Sequence, residues 1–180
     1  MQFIQHDLPG VIEYIPTKFH DDRGHFYESY NQTRFAAHGI TENFVQDNYS
    51  FSKAGVIRGL HFQKDPHAQG KLVRCMTGKV MDVVVDLRKS SPTFGQYGSY
   101  VLDADLGNML YVPVGFAHGF VALTETIFVY KCTDFWNKEA ESGIRWDDTT
   151  LNIQWGVENP IVSDKDQILP LFDPSETIFK

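Results

Sequence analysis

An all-β fold of two antiparallel sheets is what this sequence predicts, and three observations carry the prediction. Apolar and β-branched residues recur in short runs with a period of two. Glycine and proline fall between the runs, at Gly55, Gly78, Gly95, Gly107, Pro113 and Gly115. No helical pattern alternates with them, which favours an antiparallel sandwich or barrel over a parallel α/β sheet.

In chain order, the first regular element is a short helix, with Asn31 as cap, residues 33–37 as body and Gly39 as stop. Strands follow over residues 56–62 and 72–76. The clearest strand is 79–87, KVMDVVVDL, where Met81, Val83, Val85 and Leu87 share one face. Val80, Asp82, Val84 and Asp86 make the other, more polar face. Further strands are predicted over 109–112, 119–123 and 125–133. Ser163 caps a final helical turn over 163–167.

At 180 residues with 42% hydrophobic side chains, the chain suits one domain, residues 1–180, with one core. The net charge of −7 carries no overall basic footprint for nucleic acid. Residues 1–10 include Asp7 and no long apolar run, so they read as neither a signal peptide nor a membrane span. Cys75 and Cys132 lie in apolar strands without ligand spacing, and read as reduced core thiols of a cytoplasmic protein.

The chemistry concentrates in two glycine-anchored patterns. The first runs from Gly55 through RGLHFQ (58–63) to Lys71 and Gly78. The second runs from Gly107 through YVPVGFAHGF, with Pro113, Gly115 and His118. Both resemble the paired motifs of cupins, which implies a double-sheet jelly-roll barrel, a few short helices and a site in the barrel mouth. The departures matter more than the match. Metal-binding cupins carry a second histidine and a carboxylate where this sequence has Gln63 and Lys71. An ammonium group repels a cation and cannot ligate it. The expectation is therefore a site with no metal and no cofactor, in which His61 is free to move protons.

DDRGHFYESY (21–30), FVQDNYSFS (44–52), RGLHFQ, QGKLVR (69–74), VVDLRKSSPTFG (84–95), VPVGFAHGF and SDKD (163–166) follow in order. Together they resemble the dTDP-4-dehydrorhamnose 3,5-epimerase family over nearly the whole chain. The resemblance implies inversion of carbons 3 and 5 of dTDP-4-dehydro-6-deoxy-D-glucose through an enolate. Such a reaction needs a base, an acid on the opposite face and a stabilised oxyanion. His61 is the implied base, Tyr130 the acid and Lys71 the enolate-stabilising cation. Asp166 is the implied partner of His61, with Asp82 and Asp86 as rivals. Implied binding residues are Arg23, Glu28, Gln46, Asn48, Arg58, Lys71, His118, Glu141 (Glu139 being its neighbour in register) and Lys165. Trp136 is a candidate to stack on the base.

Arg23 and Glu28 are implied to reach a neighbouring subunit's site from the N-terminal segment 1–45, hence a homodimer. The partners expected are therefore a nucleoside-diphosphate sugar and a second copy, with no nucleic acid and no membrane. Two alternatives stay open: a mono-epimerase on a related 4-keto-deoxysugar, and a non-catalytic cupin that binds sugar nucleotides.

Overall fold

The computed structural model describes residues 1–180. In chain order its elements are β1 (Gln2–Gln5), β2 (Ile12–Ile15), β3 (Phe19–Asp21), β4 (Gly24–Phe26), α1 (Gln32–Ala36), β5 (Gln46–Ser52), β6 (Val56–Gln63), β7 (Lys71–Thr77), β8 (Lys79–Asp86), β9 (Tyr97–Asp103), β10 (Met109–Val112), β11 (Phe116–Ala122), β12 (Thr126–Cys132), β13 (Glu141–Gly143), β14 (Ile161–Val162) and α2 (Asp164–Gln167). One sheet has the order β1-β2-β10-β7-β12-β5; the other has β13-β6-β11-β8-β9 with β14 added beside β6. From β5 to β8 and again from β10 to β12, each strand lies in the opposite sheet from the one before. That alternation is the jelly-roll path, and it closes the two sheets over a common interior. The pairing is antiparallel except for β14, which runs parallel to β6.

Every predicted strand is present, with ends shifted by a few residues. The helix begins one residue earlier than expected, with the Asn31 side chain accepting from the Arg34 N–H. Eight strands lie outside the expected set: β1 to β5, β9, β13 and β14. β5 reads QDNYSFS and β9 reads YGSYVLD, where polar residues and a glycine leave only two-residue apolar alternations (Tyr49 and Phe51, Tyr100 and Leu102). Both are edge strands, paired on one side only, so one neighbour and one half-covered face suffice for them.

The faces of β8 explain the layering. Val80 and Val84 point between the sheets, where they join Val73, Leu110, Phe120 and Phe128. Val83, Val85 and Leu87 point the other way, against Leu151, Ile153, Trp155, Phe172 and Phe179 from the C-terminal stretch. The more polar face therefore turns inward, into the barrel, and the tail covers the apolar one. On the far side of the first sheet, α1 docks through Phe35 onto Ile12, Tyr14, Leu72 and Tyr111.

Asp86, on that inward face, is fully buried and closes the turn after β8. Its carboxylate accepts from Arg88 Nε at 2.9 Å, Arg88 Nη2 at 2.7 Å, Ser91 Oγ at 2.6 Å and Thr93 Oγ1 at 2.7 Å. Burial pushes its pKa up, but the bonds from Arg88, Ser91 and Thr93 outweigh it and hold the carboxyl below the usual range. A depressed native pKa stabilises the fold above about pH 4, and that contribution fades as pH falls through the native value. Asp86→Ala should cost about 2–4 kcal/mol at pH 7 by urea unfolding, since it strands a guanidinium and two hydroxyls. The gap from wild type should narrow at pH 3; a gap that is equal at both pH values contradicts the assignment.

Candidate active site

A bulge builds one wall of the interior. Alternation along a strand would send Arg58 and His61 to opposite faces. In β6, however, His61 is registered with His118 and Arg58 with Phe120, so three steps on one strand meet two on its neighbour. Arg58 and His61 consequently both face the interior, while Ile57, Leu60 and Phe62 all enter the outer core. Gly59 sits at the bulge with φ +135°, and a Cβ there would lie 2.6 Å from the Gly119 Cα. Only glycine meets both conditions.

α2 supplies the partner of His61. The Ser163 hydroxyl caps this helix by accepting from the Asp166 N–H. Asp166 is buried, and its Oδ1 lies 2.7 Å from His61 Nε2. Its Oδ2 accepts from the Gly59 N–H at 3.3 Å. Burial raises the Asp166 pKa, but the bonds from His61, Gly59 and Ser163 prevail and leave it below the usual carboxylate range. An ionised carboxylate accepts only, so it takes Nε2–H and leaves Nδ1 as the unprotonated ring nitrogen.

The same cavity, about 280 Å³ in volume, is lined by Arg58, His61, Lys71, His118, Tyr130 and Asp166 among others. Lys71 Nζ stands 5.8 Å from the centre of the Tyr130 ring. Burial lowers the Lys71 pKa, opposed by the fields of Cys132, Asp82 and Glu141. Burial pushes the Tyr130 phenol up to about 12. His118 Nε2 is 2.8 Å from Asp82 Oδ2, and both residues are buried. Burial raises the Asp82 pKa against the pull of His118 and Lys71, and Asp82 Oδ1 has no hydrogen-bond partner. Of the three carboxylates considered for His61, Asp166 is the one bonded to it. Asp82 serves His118 and Asp86 serves Arg88. No group of three or more His, Cys, Asp and Glu side chains is disposed to hold a metal.

The remaining predicted residues divide in two. Gln46 and Asn48 precede the cavity residue Ser50 on β5 but do not line the cavity themselves, and Asn48 borders a second one. Gln46 Nε2 donates to Asn48 Oδ1 at 3.1 Å, and Asn48 also donates to Cys132 Sγ at 3.4 Å. Glu141 Oε1 and Lys165 Nζ form a 2.7 Å pair, which favours Glu141 over Glu139 as the site carboxylate. Arg23 and Glu28 are not brought to this cavity. Arg23 stands at the tip of the β3–β4 hairpin, 90% exposed, paired with Asp21. Glu28 is paired with Arg34 beside α1. Ser50, Phe120 and Phe128 also line the cavity. Alternation from Asn48 and Tyr130 would have found Ser50 and Phe128. A larger cavity of about 670 Å³ lies on the outer face of the first sheet, lined by Leu72, Met76, Ile127 and Val129 among others. Tyr130 and Asn48 border it too, but His61, Lys71 and Asp166 do not, so size does not make it the active site.

A family model described as dTDP-4-dehydrorhamnose 3,5-epimerase matches residues 5–174. The Shigella flexneri protein of that description is 52% identical over 168 residues, covering 92% of this chain and 93% of its own. The Bacillus anthracis enzyme of the same name, solved with TDP and PPi bound, superposes with a TM-score of 0.92 at 49% identity, over 95% of this chain and 99% of its own. The Legionella pneumophila dTDP-6-deoxy-D-glucose-3,5-epimerase, in complex with dTDP-4-keto-L-rhamnose, gives 0.90 at 41% identity, over 94% and 92%.

The His61–Asp166 pair generates a direct test. Asp166→Asn preserves shape but removes the charge that fixes the ring's tautomer and offsets an imidazolium. Turnover should fall by about 10²–10⁴-fold, with KM far less affected. Steady-state kinetics decide it; turnover near that of wild type removes Asp166 from the proton-transfer pair.

Proposed function

The chain belongs to the dTDP-4-dehydrorhamnose 3,5-epimerase family, and on that premise we propose how its residues invert carbons 3 and 5 of dTDP-4-dehydro-6-deoxy-D-glucose to give dTDP-4-dehydro-L-rhamnose. The observation that carries the proposal is the His61–Asp166 pair sharing one cavity with Lys71 and Tyr130. Carbons 3 and 5 flank the ketone at carbon 4, so loss of a proton from either gives an enolate. His61 Nδ1 takes that proton, while Asp166 retains Nε2–H and balances the imidazolium. The C–H electron pair moves into the new C=C bond, and the carbonyl pair moves onto oxygen. Lys71 faces that oxygen in a poorly hydrated site, where one positive charge acts strongly.

Tyr130 then delivers its phenolic proton to the opposite face of the same carbon. Its raised pKa keeps it protonated near neutrality, so the proton is in place when the enolate forms. Solvent reprotonates the phenolate and accepts the His61 proton, and the cycle repeats at the other carbon. His118, held by Asp82, supports the sugar oxygens; Arg58, Gln46, Asn48, Lys165 and Glu141 receive the rest of the substrate. No step calls on a metal or an organic cofactor, in keeping with Gln63 and Lys71 at the positions where cupins hold metal.

A cavity of about 280 Å³ lies below the range that takes a drug-sized ligand whole. It suits the sugar, and the nucleoside diphosphate extends over the rim, where Trp136 offers a face to the base. The hairpin that carries Arg23 exposes Phe19 at 64% and Phe26 at 72%, side chains that a monomer rarely leaves in water. This supports a homodimer in which segment 1–45 docks on a partner and brings Arg23 and Glu28 to its site. The reduced thiols Cys75 and Cys132 support a cytoplasmic setting. No helix is long and apolar enough to cross a membrane.

Proton NMR in deuterated water tests the chemistry. The unmodified protein should place deuterium at carbons 3 and 5. His61→Ala should abolish exchange at both. Tyr130→Phe keeps the base and Lys71, so label should enter faster than stereochemistry inverts, at one carbon at least. Exchange at an undiminished rate in His61→Ala sinks the assignment, as does equal loss of exchange and inversion in Tyr130→Phe.

Mixing tests the composite site. His61→Ala and Arg23→Ala chains, each impaired alone, should regain part of their activity when combined and allowed to exchange subunits. A fully active chain that sediments as a monomer contradicts the shared site.

A further inference from the structure

Gln63 is buried at 4% exposure, two residues beyond His61 on the same inward face of β6, yet it does not line the cavity. Its amide is spent on backbone. Nε2 donates to the His67 carbonyl at 2.6 Å and the Phe135 carbonyl at 3.1 Å, and Oε1 accepts from the Asn137 N–H at 2.7 Å. Two more glutamines bind the same rim. Gln69 Nε2 donates to the Asp134 carbonyl at 2.7 Å, and Gln46 Oε1 accepts from the Trp136 N–H at 2.9 Å. His67 Nδ1 lies 3.2 Å from Asp134 Oδ2 and ties the facing loop to the same segment. Four consecutive residues, 134–137, thus have a backbone group held by a glutamine side chain. The side chains in the middle are left in water: Phe135 is 63% exposed and Trp136 56%.

This is an unusual division. Exposed loops generally satisfy their backbone with water, and large aromatics are generally covered. Here the backbone is clamped by one buried and two half-buried amides while two aromatic rings stand exposed. Only an amide fits the Gln63 position, because it must give two hydrogen bonds and accept one. A carboxylate cannot donate, and a neutral imidazole donates once.

We propose that Gln63 is a positioning residue: it fixes the rim segment 134–137 so that Phe135 and Trp136 form a preset aromatic platform for the nucleoside end of the substrate, and it takes no part in proton transfer. This rests on the epimerase reading for the identity of the substrate. A platform held in place before binding spares the ordering cost of the loop, so its loss weakens binding and leaves the chemical step intact.

The test uses full-length protein, with dTDP as a binding probe and the 4-keto sugar nucleotide as substrate. Gln63→Met and Gln63→Glu should raise the dTDP dissociation constant by about tenfold, one to two clamp bonds being lost. KM should rise in parallel, with turnover at saturation within about twofold of wild type. Trp136→Ala should weaken dTDP binding too, and adding Gln63→Met to it should cost little more, since both act through one platform. Gln69→Met, which loosens the same segment from the β6–β7 connection, should reproduce the pattern if the Gln63 variants fail to fold. Unchanged dTDP affinity overturns the proposal, as does lost turnover at unchanged KM or full additivity of Gln63→Met with Trp136→Ala. Wild-type protein that binds dTDP without exchanging deuterium into the sugar sinks the epimerase reading and leaves the platform standing.

Discussion

Gly59 and Gly119 meet backbone to backbone, and the catalytic wall is arranged around that contact. Without side chains at either position, β6 and β11 approach closely enough for a bulge to replace regular pairing. The bulge turns Arg58 and His61 to the same side and frees the Gly59 N–H for Asp166. Asp166 thereby anchors to the strand as well as to the imidazole, so α2 is registered to His61 through two bonds. A side chain at either glycine would part the strands and with them His61, Asp166 and Arg58.

The cavity that results is polar beside an apolar interior of Val73, Leu110 and Phe128, and burial has to be offset group by group. It moves the four central groups apart in a useful way. Asp166, with several donors, is held ionised. Tyr130, with none, is held neutral. Lys71 is pushed toward losing its proton and Asp82 toward keeping one, each restrained by the other's field. Titratable groups in one cavity with environments that differ this much take distinct acid and base roles. In the proposed mechanism the same dryness strengthens a cation facing an enolate, so that the acid, base and oxyanion roles proposed there all draw on one property of the cavity.

How much of this was legible in the sequence depends on where the physics is local. β8 was legible because both of its faces alternate cleanly. What its pattern could not say is that the Asp-bearing face is the inner one, because the apolar face is covered by Leu151, Trp155 and Phe172, far away in sequence. β5 and β9 were missed because edge strands, paired on one side, carry only a short apolar alternation: Tyr49 and Phe51 in β5, Tyr100 and Leu102 in β9. That His61, Lys71, Tyr130 and Asp166 share one cavity was legible through ordered motifs. The separate pairing of Asp82 with His118 was not, because alternation puts Asp82 and Asp86 on one face without saying which base each meets. Arg23 and Glu28 were legible only as family positions. In one chain they stand apart from the cavity, which a partner's surface would account for and local pattern cannot.

The departures from metal-binding cupins acquire a physical sense together. Position 63 could hold a ligand only if its side chain pointed at a cation; the amide there points at the rim and is fully engaged by it. Position 71 carries an amine whose positive form burial disfavours and the fields of Cys132, Asp82 and Glu141 support. A metal would compete with Lys71 for the same negative charge and lose the ligand at 63 to the loop. In the proposed mechanism Lys71 supplies positive charge directly where a metal would have supplied it, while the Gln63 amide fastens the segment at 134–137 instead of facing a cation. A scaffold that places side chains at the mouth of a barrel can thus exchange Lewis acid for ammonium while its strands, turns and bulge stay where they are.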